Sequence, residues 1–298
     1  MNPFEQHVAT RRAAGLFDFS FMGLYEFADK SAIQPLQTRD LDALAPGQIA
    51  YTLLLKTDGS VLLDATVWRL DAERFWLFTG KRGMYLAKDR SGEYAILALQ
   101  GPDSGRILSR LIGADPVRAL GYFRFLESGD MIVARLGFSG ELGYELLVPA
   151  AAGPRLRQAL LDEGVPDCSF AAADSLRIES GYVLFDREID GRANPRELGL
   201  ERLVALPQNY SVTRRLMGLE ILDGSADGNA PVAALTSECV SPILGKSIAL
   251  GFVAPETTAG QFLRVGDGWR ARACALPFVD PERRRPRGAP LQANTGER

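Results

Sequence analysis

The stretch Arg135-Leu-Gly-Phe-Ser-Gly-Glu-Leu-Gly-Tyr-Glu-Leu-Leu-Val148 sets Gly137, Gly140 and Gly143 at every third position, directly before an apolar run. Such spacing suits neither a regular helix nor a regular strand, because glycine weakens both; it suits a bent backbone that something else approaches closely, a ligand included. Tyr144-Glu-Leu-Leu-Val148 then reads as a strand, and Glu145 interrupts it with a carboxylate that is costly to bury without a donor. The stretch is expected to carry a ligand-approaching loop into a sheet.

Working outward, Met131-Ile-Val-Ala-Arg135 leads into it, and Tyr94-Ala-Ile-Leu-Ala-Leu99 reads as a further strand ending at the turn Gln100-Gly-Pro-Asp-Ser104. Ser104 to Leu111 follows as a helix with Ile107, Leu108 and Leu111 on one side. Residues 71 to 79 and Gly15 to Gly23 each read as a strand, and residues 3 to 15 as a short helix. After Pro149, residues 150 to 163 and 170 to 180 read as helices, the second stopped by Gly181. Strands and helices mixed in this way, many of the strands antiparallel, point to an α+β fold. Beyond residue 210, short apolar runs separated by Gly, Pro and Asp predict a β domain.

Tyr51-Thr-Leu-Leu-Leu-Lys-Thr-Asp-Gly-Ser-Val-Leu-Leu-Asp-Ala-Thr-Val-Trp68 reads as a hairpin turning at Asp58-Gly59. A two-residue loop there sets Thr57 opposite Ser60, Leu53 opposite Asp64 and Tyr51 opposite Thr66, which leaves Tyr51 diagonal to Asp64 on one face. Asp64 stands in an apolar strand, where an acid is either an edge guard or turn cap, or a functional carboxylate. Glu197, in Asn194-Pro-Arg-Glu-Leu-Gly-Leu200, has the same two readings, as a helix-start acid or as a site residue.

The 298 residues are 46% hydrophobic, enough for a large core, and a length of roughly 150 residues per domain suggests two domains. Lys and Arg number 34 against 37 acids, for a net charge of -3, which gives no field that calls for nucleic acid or an anionic membrane. A small molecule is the expected partner. Cys168, Cys239 and Cys274 are odd in number and far apart, against a disulfide framework and a zinc site, and a reducing, cytoplasmic setting is expected, with no secretory leader and no membrane span in the sequence. His7 is the single histidine and is expected at the surface or in packing, which removes most histidine-based triads and metal centres. No metal site is expected. P-loop, GxGxxG and GxSxG motifs are absent, and the charged tail from about residue 282 is expected to be disordered.

Taken in order, Leu16-Phe-Asp-Phe-Ser20, the hairpin from Tyr51 to Val67, Ala98-Leu-Gln-Gly-Pro102, Gly137-Phe-Ser-Gly-Glu-Leu-Gly-Tyr-Glu145, Asp174-Ser-Leu-Arg-Ile-Glu-Ser-Gly181, Asn194 to Leu200, Thr236-Ser-Glu-Cys-Val-Ser-Pro242 and Leu276-Pro-Phe-Val-Asp-Pro281 resemble the glycine cleavage T-protein (aminomethyltransferase) superfamily, whose members bind tetrahydrofolate. The resemblance spans nearly the whole chain. It implies a cloverleaf-like α+β folate-binding body over residues 1 to 210, with a ferredoxin-like part at about 45 to 130, a C-terminal β-barrel-like domain over 211 to 285 and a disordered tail over 286 to 298. It implies a one-carbon transferase acting with tetrahydrofolate: an aminomethyltransferase, or a demethylase of an O-, S- or N-methyl compound. The donor is a small molecule or a group on a lipoyl carrier protein. A catalytically silent folate-binding or regulatory protein is the alternative.

By position in these motifs, Asp64 falls at the key acid beside the reacting folate nitrogen, Glu145 at the acid that accepts two N–H bonds from the pterin's aminopyrimidine edge, and Tyr51 at the aromatic that stacks on the pterin. Phe138, Tyr144, Arg177 and Glu197 are the remaining folate-binding candidates. Departures accompany the match. Leu63 precedes Asp64 where the family has a second acid, Phe138 lacks the usual hydroxyl, and the connection from Gly80 to Tyr94 is too short for the family's helix. The segment that anchors folate's glutamate tail is not found in Gln208 to Arg215, where Arg214 or Arg215 is the substitute. The lysine-glycine-cysteine motif of the iron–sulfur-assembly branch is absent.

Overall fold

The computed structural model describes residues 1–84, 86–206 and 208–288. The glycine-marked stretch ends in the strand Gly143–Pro149, which lies inside a six-stranded sheet of order Asp167–Cys168, Gly15–Asp18, Tyr94–Gln100, Gly143–Pro149, Met131–Ala134, Phe125–Ser128. All pairs are antiparallel except Gly15–Asp18 with Asp167–Cys168. Successive residues of a strand point to opposite faces. One face therefore takes Leu97, Leu99, Tyr144 and Leu146 onto the helices Ser104–Ile112 and Gly153–Asp162. The other takes Ile96, Ala98 and Leu147 into a core shared with Trp68, Trp76 and Phe78 of a second sheet.

That second sheet has the order Ile49–Leu55, Val61–Arg69, Phe75–Thr79, Gly23–Phe27, Lys88–Asp89. The single strand expected over residues 15 to 23 is thus two strands in different sheets, because the chain crosses between them at Phe19 to Met22. The residues at 45 to 130 are likewise divided: those up to 89 build the five-stranded sheet, and those from 94 on join the six-stranded one. No helix occurs between Gly80 and Tyr94 among the described residues.

The hairpin has the expected register in its body, with Leu53 opposite Asp64 and Tyr51 opposite Thr66. Near the turn the register shifts between Leu54 and Leu55, and Lys56 N donates to Ser60 O instead of Thr57 meeting Ser60. The loop has three residues, closed by Gly59 N to Lys56 O, with Gly59 at φ +82° in the left-handed region that a side chain strains to reach.

Five strands, in the order Arg215–Ser225, Lys246–Val253, Val232–Ser241, Phe262–Val265, Trp269–Cys274, close into a barrel around Leu219, Ala249, Leu263 and Ala271. Buried charge ties the barrel to the body. Arg177, from the helix Phe170–Glu179, donates to Glu188 Oε2 at 2.7 Å and to the barrel's Ser237 Oγ at 2.6 Å, while Ser237 Oγ donates to Glu188 Oε1 at 2.7 Å. A second buried network starts at the first helix, Pro3–Arg12, which Asn2 caps by accepting from Glu5 N at 2.9 Å. Arg11 reaches Glu179 at 2.8 Å and Glu141 at 2.9 Å, and His7, fully buried, lies between Ser175 Oγ at 2.7 Å and Glu179 at 3.0 Å. His7 is a packing residue.

The tail does not leave the body at residue 282. Arg285 Nη1 donates to Glu141 Oε1 at 2.7 Å, and Arg135 Nη2 donates to the Arg287 carbonyl at 2.8 Å. Disorder expected at 282 to 288 is replaced by this docking, which depends on a buried acid the local sequence does not advertise. Residues 289–298 lie outside the described residues. Among the described residues, no helix is long and apolar enough to cross a membrane, and no cluster of three or more His, Cys, Asp or Glu is placed to hold a metal ion. The three cysteines are free.

Candidate functional site

A cavity of about 1310 Å³ lies among the two sheets, the loops at 181–203 and the barrel. Strand alternation decides which candidates reach it. Glu145 faces it from the six-stranded sheet, while its neighbour Tyr144 points to the opposite face and packs near Gly105 under the helix Ser104–Ile112. Tyr144 is therefore removed from the site. Asp64 and Tyr51 both line the cavity from the hairpin, and Leu63, where an acid is absent, is buried on the far face.

Tyr51 is placed by the diagonal relation its register requires, but its role differs from a simple stacking plate. Its hydroxyl donates to Asp64 Oδ2 at 2.8 Å. Burial raises the pKa of Asp64, and the Tyr51 bond works the other way by favouring the carboxylate. Tyr51 itself is pushed well up, first by burial and then by the neighbouring Asp64 charge. An acid with a raised pKa, held in orientation by one oxygen and bordering a cavity, is equipped to exchange a proton with a bound amine.

Glu145 is 6% exposed and has no hydrogen-bond donor among the described residues. Burial alone pushes its pKa up to about 7. A buried carboxylate with no protein partner, aimed into a cavity, fits a ligand that supplies N–H groups, and the paired N–H groups of an aminopyrimidine match its two oxygens.

The glycine spacing has a different cause from the one its sequence suggested. A Cβ at Gly137 or Gly143 would lie 1.9 or 2.3 Å from the side-chain amide of Gln100, and one at Gly140 would lie 2.0 Å from Ser180 Oγ. Gln100 is fully buried, accepting from Ser139 Oγ at 2.8 Å and donating to the Leu136 carbonyl at 3.3 Å. The glycines make room for these protein side chains, which hold the loop so that Leu136, Gly137 and Phe138 border the cavity.

Phe138 stacks with Tyr182, ring centroids 6.1 Å apart. Glu197 borders the cavity, but its carboxylate accepts from Thr213 N and Thr213 Oγ1, each at 2.9 Å; burial raises its pKa, these donors outweigh that, and the net shift is downward. It begins no helix and ties its own turn to Thr213, just before the first barrel strand Arg215–Ser225. Arg177 does not reach the cavity, since its guanidinium is consumed by Glu188, Ser237 and Asp174. Of the proposed tail anchors, Arg215 borders the cavity, whereas Arg214 pairs with Asp190 at 2.9 Å and covers the Phe252 ring. Sequence reading missed Tyr122, Tyr182, Arg283 and Arg287 as cavity residues: Tyr122 lies in a turn and Tyr182 just after one, where there is no periodic signal, and the arginines fall in the segment expected to be disordered.

Residues 4–208 match a family model described as the GCVT N-terminal domain, and residues 214–280 match one described as the glycine cleavage T-protein C-terminal barrel domain. The chain is 32% identical to an aminomethyltransferase from Rubrobacter xylanophilus, across 95% of this chain and 88% of that protein. It is 33% identical to one from Thermosynechococcus vestitus, again across 95% and 88%. The crystal structure of glycine cleavage system aminomethyltransferase T from Bartonella henselae is similar with a TM-score of 0.81 at 26% identity, covering 93% of this chain and 89% of that one. The order of motifs, the two sheets with their closed barrel, and these matches agree, and the chain belongs to the glycine cleavage T-protein family.

Proposed function

We propose that the protein is an enzyme that transfers a one-carbon unit, an aminomethyl group in the first instance, to tetrahydrofolate held in the central cavity. The observation that carries this reading is Glu145: a buried carboxylate with a raised pKa and no donor among the described residues, bordering the same cavity as the Tyr51–Asp64 pair. Bound tetrahydrofolate supplies a nucleophilic amine, N5, as the acceptor of the one-carbon unit. Glu145 accepts the N–H groups of its aminopyrimidine edge, and Phe138, stacked on Tyr182, gives an apolar wall beside it.

Asp64 would orient the reacting amine and take its proton as the nitrogen–carbon bond forms, while the bond from that carbon to its donor atom breaks and the donor atom leaves with the electron pair and is protonated in turn. As a carboxylate it also stabilises positive charge that develops on the transferred carbon. Tyr51 keeps one Asp64 oxygen engaged and leaves the other for the reaction. A silent folate-binding protein is the weaker reading, because such a protein has no need of a hydroxyl-held acid at the cavity. The one-carbon donor in this proposal arrives on a lipoyl carrier protein, as suits the family; Phe21 and Phe170 lie exposed and packed edge to face at the cavity's border.

The test is calorimetric binding of tetrahydrofolate together with turnover of an aminomethyl donor. Asp64→Asn is expected to retain binding and lose turnover by about a hundredfold or more. Absence of tetrahydrofolate binding to the wild-type chain, or full turnover by the Asn variant, overturns the reading.

A further inference from the structure

Among the described residues, four other than glycine hold a positive φ: Phe123 at +56°, Asp186 at +59°, Asp280 at +56° and Arg283 at +51°. Aspartate enters this left-handed region readily, because its short side chain can hydrogen-bond to the backbone nearby. Phe123 has no such compensation. A bulky apolar residue takes the conformation only where the surrounding structure imposes it, at a cost in stability that glycine would not incur.

What imposes it is a main-chain seam between the two sheets. Phe123 N donates to the Arg135 carbonyl at 2.9 Å, and Ile49 N donates to the Phe123 carbonyl at 2.9 Å. Beside these bonds, Arg135 N donates to Arg124 O at 2.8 Å and Phe125 N to Gly47 O at 3.1 Å. Residues 123 to 125 are thus fastened on one side to the start of the strand Ile49–Leu55 and on the other to Arg135, just past the strand Met131–Ala134. The first of these strands carries Tyr51, which holds Asp64. The second lies beside Glu145, whose register partner is Ala134, and runs on into the glycine loop at Gly137. The strained residue therefore sits where the half of the cavity bearing Asp64 is bonded to the half bearing Glu145. Its ring borders the cavity, packs against the core that the two sheets share and meets Tyr122 edge to face, ring centroids 4.7 Å apart.

We infer that Phe123 is a positioning residue for the transfer: its imposed backbone and its ring, wedged at the seam, set the spacing between Asp64 and Glu145. The inference rests on the folate reading of the cavity and deepens it by separating what holds the ligand from what aligns it. Glu145 and Phe138 belong to the six-stranded sheet and its loop, so one side of the seam supplies most of the recognition. Transfer needs the ligand held there and Asp64 correctly placed across the cavity at the same time. A slack seam costs transfer more than binding, because a misplacement of about 1 Å is enough to lose a hundredfold in rate.

Calorimetry with tetrahydrofolate and steady-state turnover of an aminomethyl donor, both on the full chain, test this. F123G, freed of the strain and of the ring, is expected to bind tetrahydrofolate within about threefold of wild type and to lose about tenfold or more in kcat. F123N also accepts the left-handed backbone and lacks the ring, and gives the same test should the glycine variant not fold. F123L keeps apolar bulk on the imposed backbone and is expected to recover most of the loss. Combined with Asp64→Asn, F123G is expected to cost less than about threefold further, since no acid remains to be placed. A merely structural role lowers the melting temperature and leaves kcat per folded molecule at the wild-type value. That result, an affinity loss equal to the loss in kcat, no recovery in F123L, or a full second loss in the Asp64→Asn background overturns the inference while leaving the folate reading intact. A wild-type chain that neither binds tetrahydrofolate nor turns over removes the folate reading and the inference with it.

Discussion

Glu145, the proposed pterin-binding acid, is held against the interest of stability. Its carboxyl pKa rises from 4.5 to about 7 on burial, so the folded state prefers the protonated form. Stability from this group is fully present below pH 4.5 and is lost as pH rises through 7. Glu145→Gln does not titrate, so its unfolding free energy is expected to gain on the wild type between those pH values, by up to about 3 kcal/mol, as urea melts across that range will show. Donors on a ligand favour the carboxylate, so tetrahydrofolate affinity is expected to rise with pH through the same window, and Glu145→Gln to lose both affinity and its pH dependence. Tyr51→Phe removes the bond that favours ionised Asp64. The acidic limb of kcat/KM is then expected to move up by about 1 pH unit, whereas a purely stacking role for Tyr51 leaves the limb in place. At this scale the sequence revealed which acids were out of place in apolar strands, since a charge breaks a pattern visibly. Whether such an acid is satisfied depends on donors distant in the chain: Glu197 has Thr213, and Glu145 has none among the described residues.

Elements carry the geometry that single residues exploit. The glycine loop is shaped by the Gln100 amide and by Ser180, so Gly140→Ala must displace a buried hydroxyl and also strain a residue at φ +75°. A loss of about 1–3 kcal/mol is expected in thermal unfolding, with Gly143→Ala, which meets Gln100 at 2.3 Å, in the same range. Gly129, at φ +59° with open space around it, is a contrast: Gly129→Ala is expected to cost only about 1 kcal/mol from the backbone alone. Periodicity located the strands well, and the hairpin register that pairs Leu53 with Asp64 could be counted from Asp58-Gly59. The register shift near the turn could not, because a two-residue and a three-residue loop share the same Asp-Gly signal. Nor could the break at Phe19 to Met22, where an alternating pattern continues while the strand changes sheets.

Across the whole molecule, buried ion pairs join parts that the chain separates widely. Arg11, Glu141, Glu179 and Arg285 bind the first helix, the glycine loop, the helix Phe170–Glu179 and the docked tail segment. Arg177 and Glu188 bind the body to the barrel. Arg177→Met leaves Glu188 buried without its cation and is expected to cost about 3–5 kcal/mol in chemical unfolding, with the surviving folded fraction binding tetrahydrofolate normally. A selective loss of binding at unchanged stability is the opposite result and would make Arg177 a ligand residue after all. What the sequence by itself determined was the family order of motifs, the α+β body followed by a β domain, and Asp64 and Glu145 as acids too costly for ordinary strand interiors. These are local properties, set by side-chain chemistry and by periods of two or 3.6 residues. Tertiary structure alone decided that Glu145 and not Tyr144 faces the cavity, that Arg177 is spent on Glu188, and that the charged tail returns as a strap. Each of those depends on which distant surface packs against a given face, and alternation along a strand tells two faces apart without saying what either will meet.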